Sequence, residues 1–475
     1  MAVNAGYGAT NEASLTTAAA GIEKLYRHRV ILFTCFLCLV VVAEGYDIGV
    51  LNGAVVRMKD NLGLSTLQIS LVVTMTPLFL MPGSLAGGAV ADACGRRGAL
   101  VLCCALLVGG PLGMALSTSP ILLMVARAVV GFGIGMGYVV VSMYIAEVAP
   151  AEMRGRLTTL EDVFLNVGIL LGYFVNWLLY GMPNDWRWML SLGSILPFLV
   201  CAALFHPHMP ESPRWLHARG RDAEAEEVLT YFVGAEESKQ AVNAMAEQGQ
   251  KGEKEEFVTW RSVLCSWHDK PVRRMLLAGI AVACASTACG YLAVAYYSST
   301  VLKMSMSERT AFAATVVMGV AKLLVVIFVL MVLEQTGRRI LLLASTVLCG
   351  FACAWLAVAY AVQAHGWIQA LGFIIFMAGF SLGLGPITLL YISEVFATRW
   401  RGKGMALAIF VSRMFAAAST LVFPVLIEAI GVSTSFLLLT GMNGCLVFLI
   451  WAFVFETHGL TLESVDELLK PHHCI

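Results

Sequence analysis

The sequence predicts an all-α membrane protein of twelve transmembrane helices, arranged as two pseudo-symmetric six-helix bundles with a short cytoplasmic helical linker between them. Three observations lead there. Of the 475 residues 59% are hydrophobic, the mean hydropathy is +0.80, and the 13% that are charged cluster between apolar runs, a composition foreign to soluble domains. Apolar runs of roughly 20 residues, the length that crosses a bilayer as a helix, recur along the chain. Two stretches also repeat each other, SMYIAEVAPAEMRGRLTTL at Ser142 to Leu160 and LLYISEVFATRWRGKGMAL at Leu389 to Leu407, and a second pair, DACGRR from Asp92 and EQTGRR from Glu334, recurs in the same order. Two motifs copied in order mean a duplicated half, and each copy ends an apolar run at a cluster of charges, as a helix emerging into water does.

The expected spans cover about 30–57, 67–91, 97–117, 120–149, 159–181, 186–206, 273–299, 309–334, 338–362, 368–396, 403–428 and 434–456. They divide the chain into an N-terminal segment (1–29), a first bundle (30–206), a linker (207–272), a second bundle (273–456) and a tail (457–475). Basic loops stay cytoplasmic, and Lys24, Arg27 and Arg29, Arg96 and Arg97, Arg154 and Arg156, then Arg338, Arg339, Arg399, Arg401 and Lys403 all fall on one side. Both termini are therefore expected in the cytoplasm. The linker contains AEAEEVLTYF and ESKQAVNAMAEQ, which read as short amphipathic helices. The first 29 residues have no apolar core of signal-peptide length, so the first span is expected to target the chain itself.

The 13 cysteines lie mostly within spans and none has zinc-ligand spacing, so no metal or cofactor is expected. A net charge of zero suggests no nucleic-acid partner. No nucleophile, base and oxyanion donor group together in any loop, which speaks against an enzyme. The small residues of GFGIGMG (Gly131 to Gly137) and of LAGG (Leu85 to Gly88) are expected to let helices pack closely, the first lying in an apolar span rather than after a strand.

Charges within the spans are few: Glu44 and Asp47 on one face of span 1, Arg127 in span 4, Glu161 and Asp162 at the start of span 5, Lys322 in span 8 and Arg413 in span 11. Each costs about 2.5 to 3.5 kcal/mol to insert, so each needs a partner or a purpose. Asp47 with Arg127 is the expected proton-coupling pair, because burial and a guanidinium act in opposite directions on a carboxylate and solvent access then decides its protonation. A static salt bridge between spans 1 and 4 is the alternative.

These motifs, with PESPRWL at Pro210 to Leu216, resemble the sugar porter branch of the major facilitator superfamily across nearly the whole chain. GYDIGV, RGRLTTLEDVFLNVGILLGYFVNW and GVAKLLVVIFVL are most similar to plant-type polyol and monosaccharide proton symporters. The resemblance implies alternating access, with two bundles rocking around a central site, and coupling through Asp47 and Arg127. It implies a cytoplasmic gate in which Asp92, Arg96, Arg97, Glu147 and Arg154 of one half face Glu334, Arg338, Arg339, Glu394 and Arg401 of the other, with Glu211 and Arg214 linking the linker helices to the bundles and Glu456 at the tail. At the substrate site the chain departs from the family. Ser286 and Thr287 stand where similar transporters carry a glutamine pair, Leu389 where they carry a sugar-facing tryptophan, and Asp162 where polyol-type members have an acid. The implied substrate contacts are Asp162, Ser286, Thr287, Lys322, Tyr391, Ser412 and Arg413.

The expected function is thus proton-coupled symport of a polyol, cyclitol or monosaccharide. Because a buried hydroxyl left unpaired costs about 1 to 3 kcal/mol, losing two amides and an indole leaves a second possibility, an organic anion drawn by Lys322 and Arg413. A sensor that binds without transport is a third, though only 19 residues follow Glu456. The expected partners are a small-molecule substrate, protons and the lipid bilayer, with a monomer as the working unit and the plasma membrane favoured over a vacuolar or other endomembrane.

Overall fold

Apolar helices cannot leave backbone groups unpaired in hydrocarbon, so a chain this hydrophobic must satisfy them within helices. The computed structural model describes residues 4–206, 209–234, 238–239, 242, 270–333, 335–396 and 398–457, with side chains from Tyr26 onward except at 151–152, 154–156, 158, 270–271, 398–399 and 401–402. Every regular element among the described residues is a helix. The first half comprises α1 (Asn4–Leu62), α2 (Thr66–Ala115), α3 (Pro120–Val148), α4 (Ala151–Leu179), α5 (Asp185–Leu192) and α6 (Ile195–Leu204). Two linker helices follow, α7 (Pro213–Ala218) and α8 (Asp222–Val233). The second half comprises α9 (Lys270–Ala288), α10 (Tyr291–Leu302), α11 (Glu308–Val332), α12 (Arg338–Ala361), α13 (Gly366–Leu382), α14 (Pro386–Val395), α15 (Thr398–Ile430) and α16 (Val432–Phe453).

Among the described residues eleven helical stretches are long and apolar enough to cross a membrane. One of them, α2, holds two of the expected spans on either side of Gly95, whose backbone (φ 85, ψ 165) is not helical. The twelve crossings expected from the sequence are thus present. AEAEEVLTYF forms α8, as its amphipathic pattern predicts, whereas ESKQAVNAMAEQ falls almost entirely outside the described residues.

Glycines set how closely the helices of the first half approach. On α1, Gly45, Gly49 and Gly53 recur every fourth residue and face α4; a Cβ on Gly45 would stand 1.9 Å from the carbonyl oxygen of Leu165. The GFGIGMG glycines do the same between α3 and α2, where a Cβ on Gly135 would lie 2.1 Å from the Leu80 carbonyl oxygen. These seams bring the charged faces of α1, α3 and α4 together.

Three crossings are broken within the membrane. In the second half, α9 passes to α10 through Gly290, held in the left-handed region at φ +96, and α13 passes to α14 through Gly383, Leu384 and Gly385 ahead of Pro386. Side chains take up the backbone groups these breaks release: Asn443 donates to the Cys289 carbonyl (3.1 Å), while Ser345 donates to the Gly379 carbonyl (2.7 Å) and accepts from the Leu384 N–H (3.0 Å). The first half has one such break, between α5 and α6 at Gly193 and Ser194.

The halves meet away from the face that carries the GRR loops. Asn52 of α1 donates to the Ala295 carbonyl (2.6 Å) and to Ser298 Oγ (2.8 Å) of α10, Ser299 donates back to the Asn52 carbonyl (2.5 Å), and Thr74 of α2 hydrogen-bonds Thr420 of α15 (3.1 Å).

Candidate functional site

A buried charge pair lies at the centre of the first half. Arg127 of α3, fully buried, donates through one terminal nitrogen to Asp47 Oδ1 of α1 at 2.5 Å. The pair has one contact only. Asp47 Oδ2, Arg127 Nε and the other terminal nitrogen of Arg127 are buried without a hydrogen-bond partner. Asp47 also lines a narrow crevice with Tyr46, Val50, Pro111 and Leu190, and Tyr46 is fixed by donating to the Met189 carbonyl (2.6 Å). A one-contact pair with spare polar atoms beside a crevice can exchange a proton or a partner more readily than a bidentate pair sealed in the core.

A second set of polar groups comes from both halves. Lys322 of α11 is 3% exposed. Its ammonium donates to the Tyr291 hydroxyl at 3.1 Å and stands 4.8 Å from the centre of that ring. Tyr291 in turn stacks on Phe380, with centroids 3.9 Å apart and planes 4° from parallel. Across the interface Asp162 of α4 is in electrostatic range of Lys322, and its Oδ2 is buried with no hydrogen-bond partner. One turn along α4, Asn166 donates to the Asp162 carbonyl (2.6 Å) and keeps a buried, unpartnered Oδ1. Nearer the GRR face Glu161 accepts from Ser142 (2.6 Å), and Arg413 of α15 lies 5.7 Å from the centre of the Tyr138 ring, within electrostatic range of Glu44.

The expected substrate contacts divide. Asp162 and Lys322 face each other between the halves, while Arg413 lies apart from them beside Tyr138 and Glu44. Thr287 and Ser412 bond each other instead, Thr287 Oγ1 donating to the Ser412 carbonyl (3.0 Å) with its hydroxyl 3.3 Å away, so they join α9 to α15. Ser286 donates to Ala283 of its own helix (2.8 Å). Tyr391 is a correction: it is fully buried at the GRR end of α14, where its hydroxyl donates to the Phe455 carbonyl (3.1 Å) and accepts from the Phe455 N–H (3.2 Å). Tyr291, Phe380 and Asn166 escape the sequence reading. The usable signals are that Gly290-Tyr291 repeats the Gly45-Tyr46 step of span 1, and that Asn166 is a polar residue within a span.

At the GRR face the duplicated charges form two matching clusters, one in each half. Arg96 grips Glu147 with two parallel 2.8 Å hydrogen bonds and reaches Asp92 at 3.3 Å. Glu211 accepts the backbone N–H groups of Arg96 (2.9 Å) and Arg97 (3.2 and 3.3 Å), and Ser212 donates to Glu147. In the second half Arg338 meets Glu394 (3.3 Å), Glu456 accepts the N–H groups of Arg338 (2.8 Å) and Arg339 (3.1 Å), and Thr457 donates to Glu394 (2.6 Å). Glu211-Ser212 and Glu456-Thr457 are therefore a third duplicated motif. Among the described residues Arg96 and Arg338 each pair with a carboxylate of their own half; the implied pairing across the halves belongs to the state closed at this face. Arg97 and Arg339 likewise cap carbonyls, of Leu204 (2.7 Å) and Trp451 (2.7 Å). Arg214 is exposed; Trp215 and Arg219 instead hold α7 to the Asp92 carbonyl (3.1 and 3.0 Å). Glu334 and the side chains of Arg154 and Arg401 lie outside the described residues.

Burial is the main influence on Glu211 and raises its carboxyl above the ordinary range, against the backbone donors and Arg96, which favour its charged form.

Twelve crossings in two repeated halves, with charges between them, define a multi-pass membrane transporter fold. The chain belongs to the sugar (and other) transporter family, whose model matches residues 33–469. It is 32% identical to the probable polyol transporter 4 of Arabidopsis thaliana, over 92% of this chain and 84% of that protein, and 29% identical to the major myo-inositol transporter IolT of Bacillus subtilis, over 90% and 92%. The fold matches the xylose transporter XylE from E. coli in a partially occluded inward-open form with a TM-score of 0.79, at 23% identity over 91% of this chain and 99% of that one. The proton:xylose symporter XylE bound to 6-bromo-6-deoxy-D-glucose matches with a TM-score of 0.75, at 25% identity over 94% and 100%.

Proposed function

We propose that this chain is a proton-coupled symporter of a polyol, cyclitol or monosaccharide, working by alternating access between halves 30–206 and 273–456. The family and its polyol and inositol relatives support the substrate class. The observation that carries the coupling is the Asp47–Arg127 pair, buried, joined by one hydrogen bond and flanked by unpartnered polar atoms. Protonation of Asp47 releases Arg127 from that bond, and the spare atoms give both groups somewhere to turn. Lys322, Tyr291 and Phe380 from one half, with Asp162 and Asn166 from the other, supply donors, acceptors and an aromatic face, which together suit a polyhydroxylated neutral molecule.

An organic anion fits less well. The positive charge of Lys322 is set against Asp162 and that of Arg413 against Glu44, so the space between the halves has no surplus of positive charge to attract one. The GRR face is read as cytoplasmic on its basic loops, which puts both termini there, with the plasma membrane as the favoured location. In this orientation the protein faces inward. The test is uptake into proteoliposomes with an inward proton gradient. Accumulation of at least one polyol, cyclitol or monosaccharide that stops when the gradient is collapsed is the expected result; no uptake of any of them, or uptake indifferent to the gradient, refutes the proposal.

A further inference from the structure

The face opposite the GRR loops carries a charge cluster that neither the repeats nor the family motifs include. Arg57, on the last turns of α1, donates through Nε to Asp185 at the start of α5 (2.8 Å) and through a terminal nitrogen to Glu308 at the start of α11 (3.3 Å). Lys303, just after α10, pairs with the same Glu308 and with Asp60 of α1 (3.2 Å). Tyr180, at the end of α4, lies beneath the Arg57 guanidinium at 5.5 Å. Three carboxylates and two cations thus meet, and two of the pairs, Arg57–Glu308 and Lys303–Asp60, join the first half to the second. Glu308 is the shared member. Its side chain is 13% exposed and that of Arg57 25%, so solvent screens this part of the network less than it would a surface pair.

Location gives the network its consequence. Arg57–Glu308 and Lys303–Asp60 join the halves on this face, while Arg96–Glu147 and Arg338–Glu394 at the GRR face each lie within one half. Opening the opposite side must break Arg57–Glu308 and Lys303–Asp60, since each pair has one member on each moving body. We propose that Glu308, held by Arg57 and Lys303, is the gate residue that keeps this side shut, so that the strength of these pairs sets the balance between the two states of the transporter. The inference concerns conformation and stands whatever solute the chain carries.

An alternative role for Glu308 is local: an acid in the first turn of α11, behind the Ser307 cap, favours the helix N-terminus. Distance measurement separates the two. Spin labels at Lys59→Cys and Arg309→Cys, both exposed and on opposite halves, report the separation of the two bodies by pulsed electron resonance, with labelable native cysteines replaced. In Glu308→Gln the share of the longer-distance component should rise about fivefold, as expected for losing the partly screened Arg57–Glu308 pair that joins the halves, while Glu308→Asp stays within about twofold of the parent. A Glu308→Gln distribution that superimposes on the parent overturns the proposal, as does an equal shift in Glu308→Asp. If Glu308→Gln does not fold, the parent protein carries the test: the longer component should grow between about 0.05 and 1 M salt as the pairs are screened, and an unchanged distribution overturns the gate.

Discussion

The two halves are copies at the GRR face and strangers at mid-membrane. At the face, Arg96–Glu147–Glu211–Ser212 has its counterpart in Arg338–Glu394–Glu456–Thr457, partner for partner. At depth the correspondence fails. Counting from the shared YI-EV motif, the position matching Arg127 is Ile374; in the Gly-Tyr repeat the position matching Asp47 is Leu292; and counting from GRR, the position matching Lys322 is Leu80. The duplication therefore keeps the parts that hold each bundle together as it rocks. Each half has then gained its own buried charge, an acid and base pair in the first and a lysine on an aromatic stack in the second.

The largest effects should come from erasing that difference. Asp47→Asn is expected to lower proton-driven accumulation in proteoliposomes more than about tenfold while leaving solute exchange, because the side chain keeps its shape and loses its proton. Arg127→Met leaves Asp47 buried and alone, and should cost about 3 to 5 kcal/mol in detergent unfolding. The double variant Asp47→Leu with Arg127→Ile makes the first half imitate the second. It should recover stability to within about 1 kcal/mol of the parent and remain uncoupled, since an apolar pair of similar volume often replaces a buried ion pair without loss. Failure of the double variant to recover would mean the pair is chiefly structural.

In the second half, Lys322→Gln should raise KM for the transported polyol about tenfold or more with a smaller change in maximal rate. Asp162→Asn should do the same, and the two should be less than additive if they share one substrate hydroxyl.

Smaller effects are expected where the halves agree. Arg96→Gln breaks a two-bond grip on Glu147, whereas Arg338→Gln breaks one 3.3 Å contact with Glu394, so thermal unfolding should show losses of about 2 and about 1 kcal/mol respectively. Least of all is a pH effect. Burial raises the Glu211 carboxyl in the folded protein, so its contribution is fully present below the ordinary carboxylate pKa and is lost as pH rises through the elevated one. Melting of the parent relative to Glu211→Gln should show a gain of about a degree toward acid; a slope of opposite sign would mean that the backbone donors outweigh burial.

Much of this was legible in the residues because hydrophobic length and charge position are one-dimensional properties. The spans, the Gly131 to Gly137 packing seam, α8 and the Asp47–Arg127 pair follow from them. What failed needed a third dimension. Tyr391 looks like a cavity residue in a line of text, but the rotation of α14 turns its hydroxyl to Phe455. Thr287 and Ser412 are polar residues in spans that satisfy each other across two helices. Tyr291 was missed because its importance arises from Lys322, 31 residues away.

The central claim is that the Asp47–Arg127 pair couples solute movement to protons, and current carried by the protein on a solid-supported membrane tests it most directly. Addition of a transported polyol should produce an inward positive current in the parent that grows with external acidity, and none in Asp47→Asn despite retained exchange. Polyol uptake in the parent without current, or an undiminished current in Asp47→Asn, would contradict it.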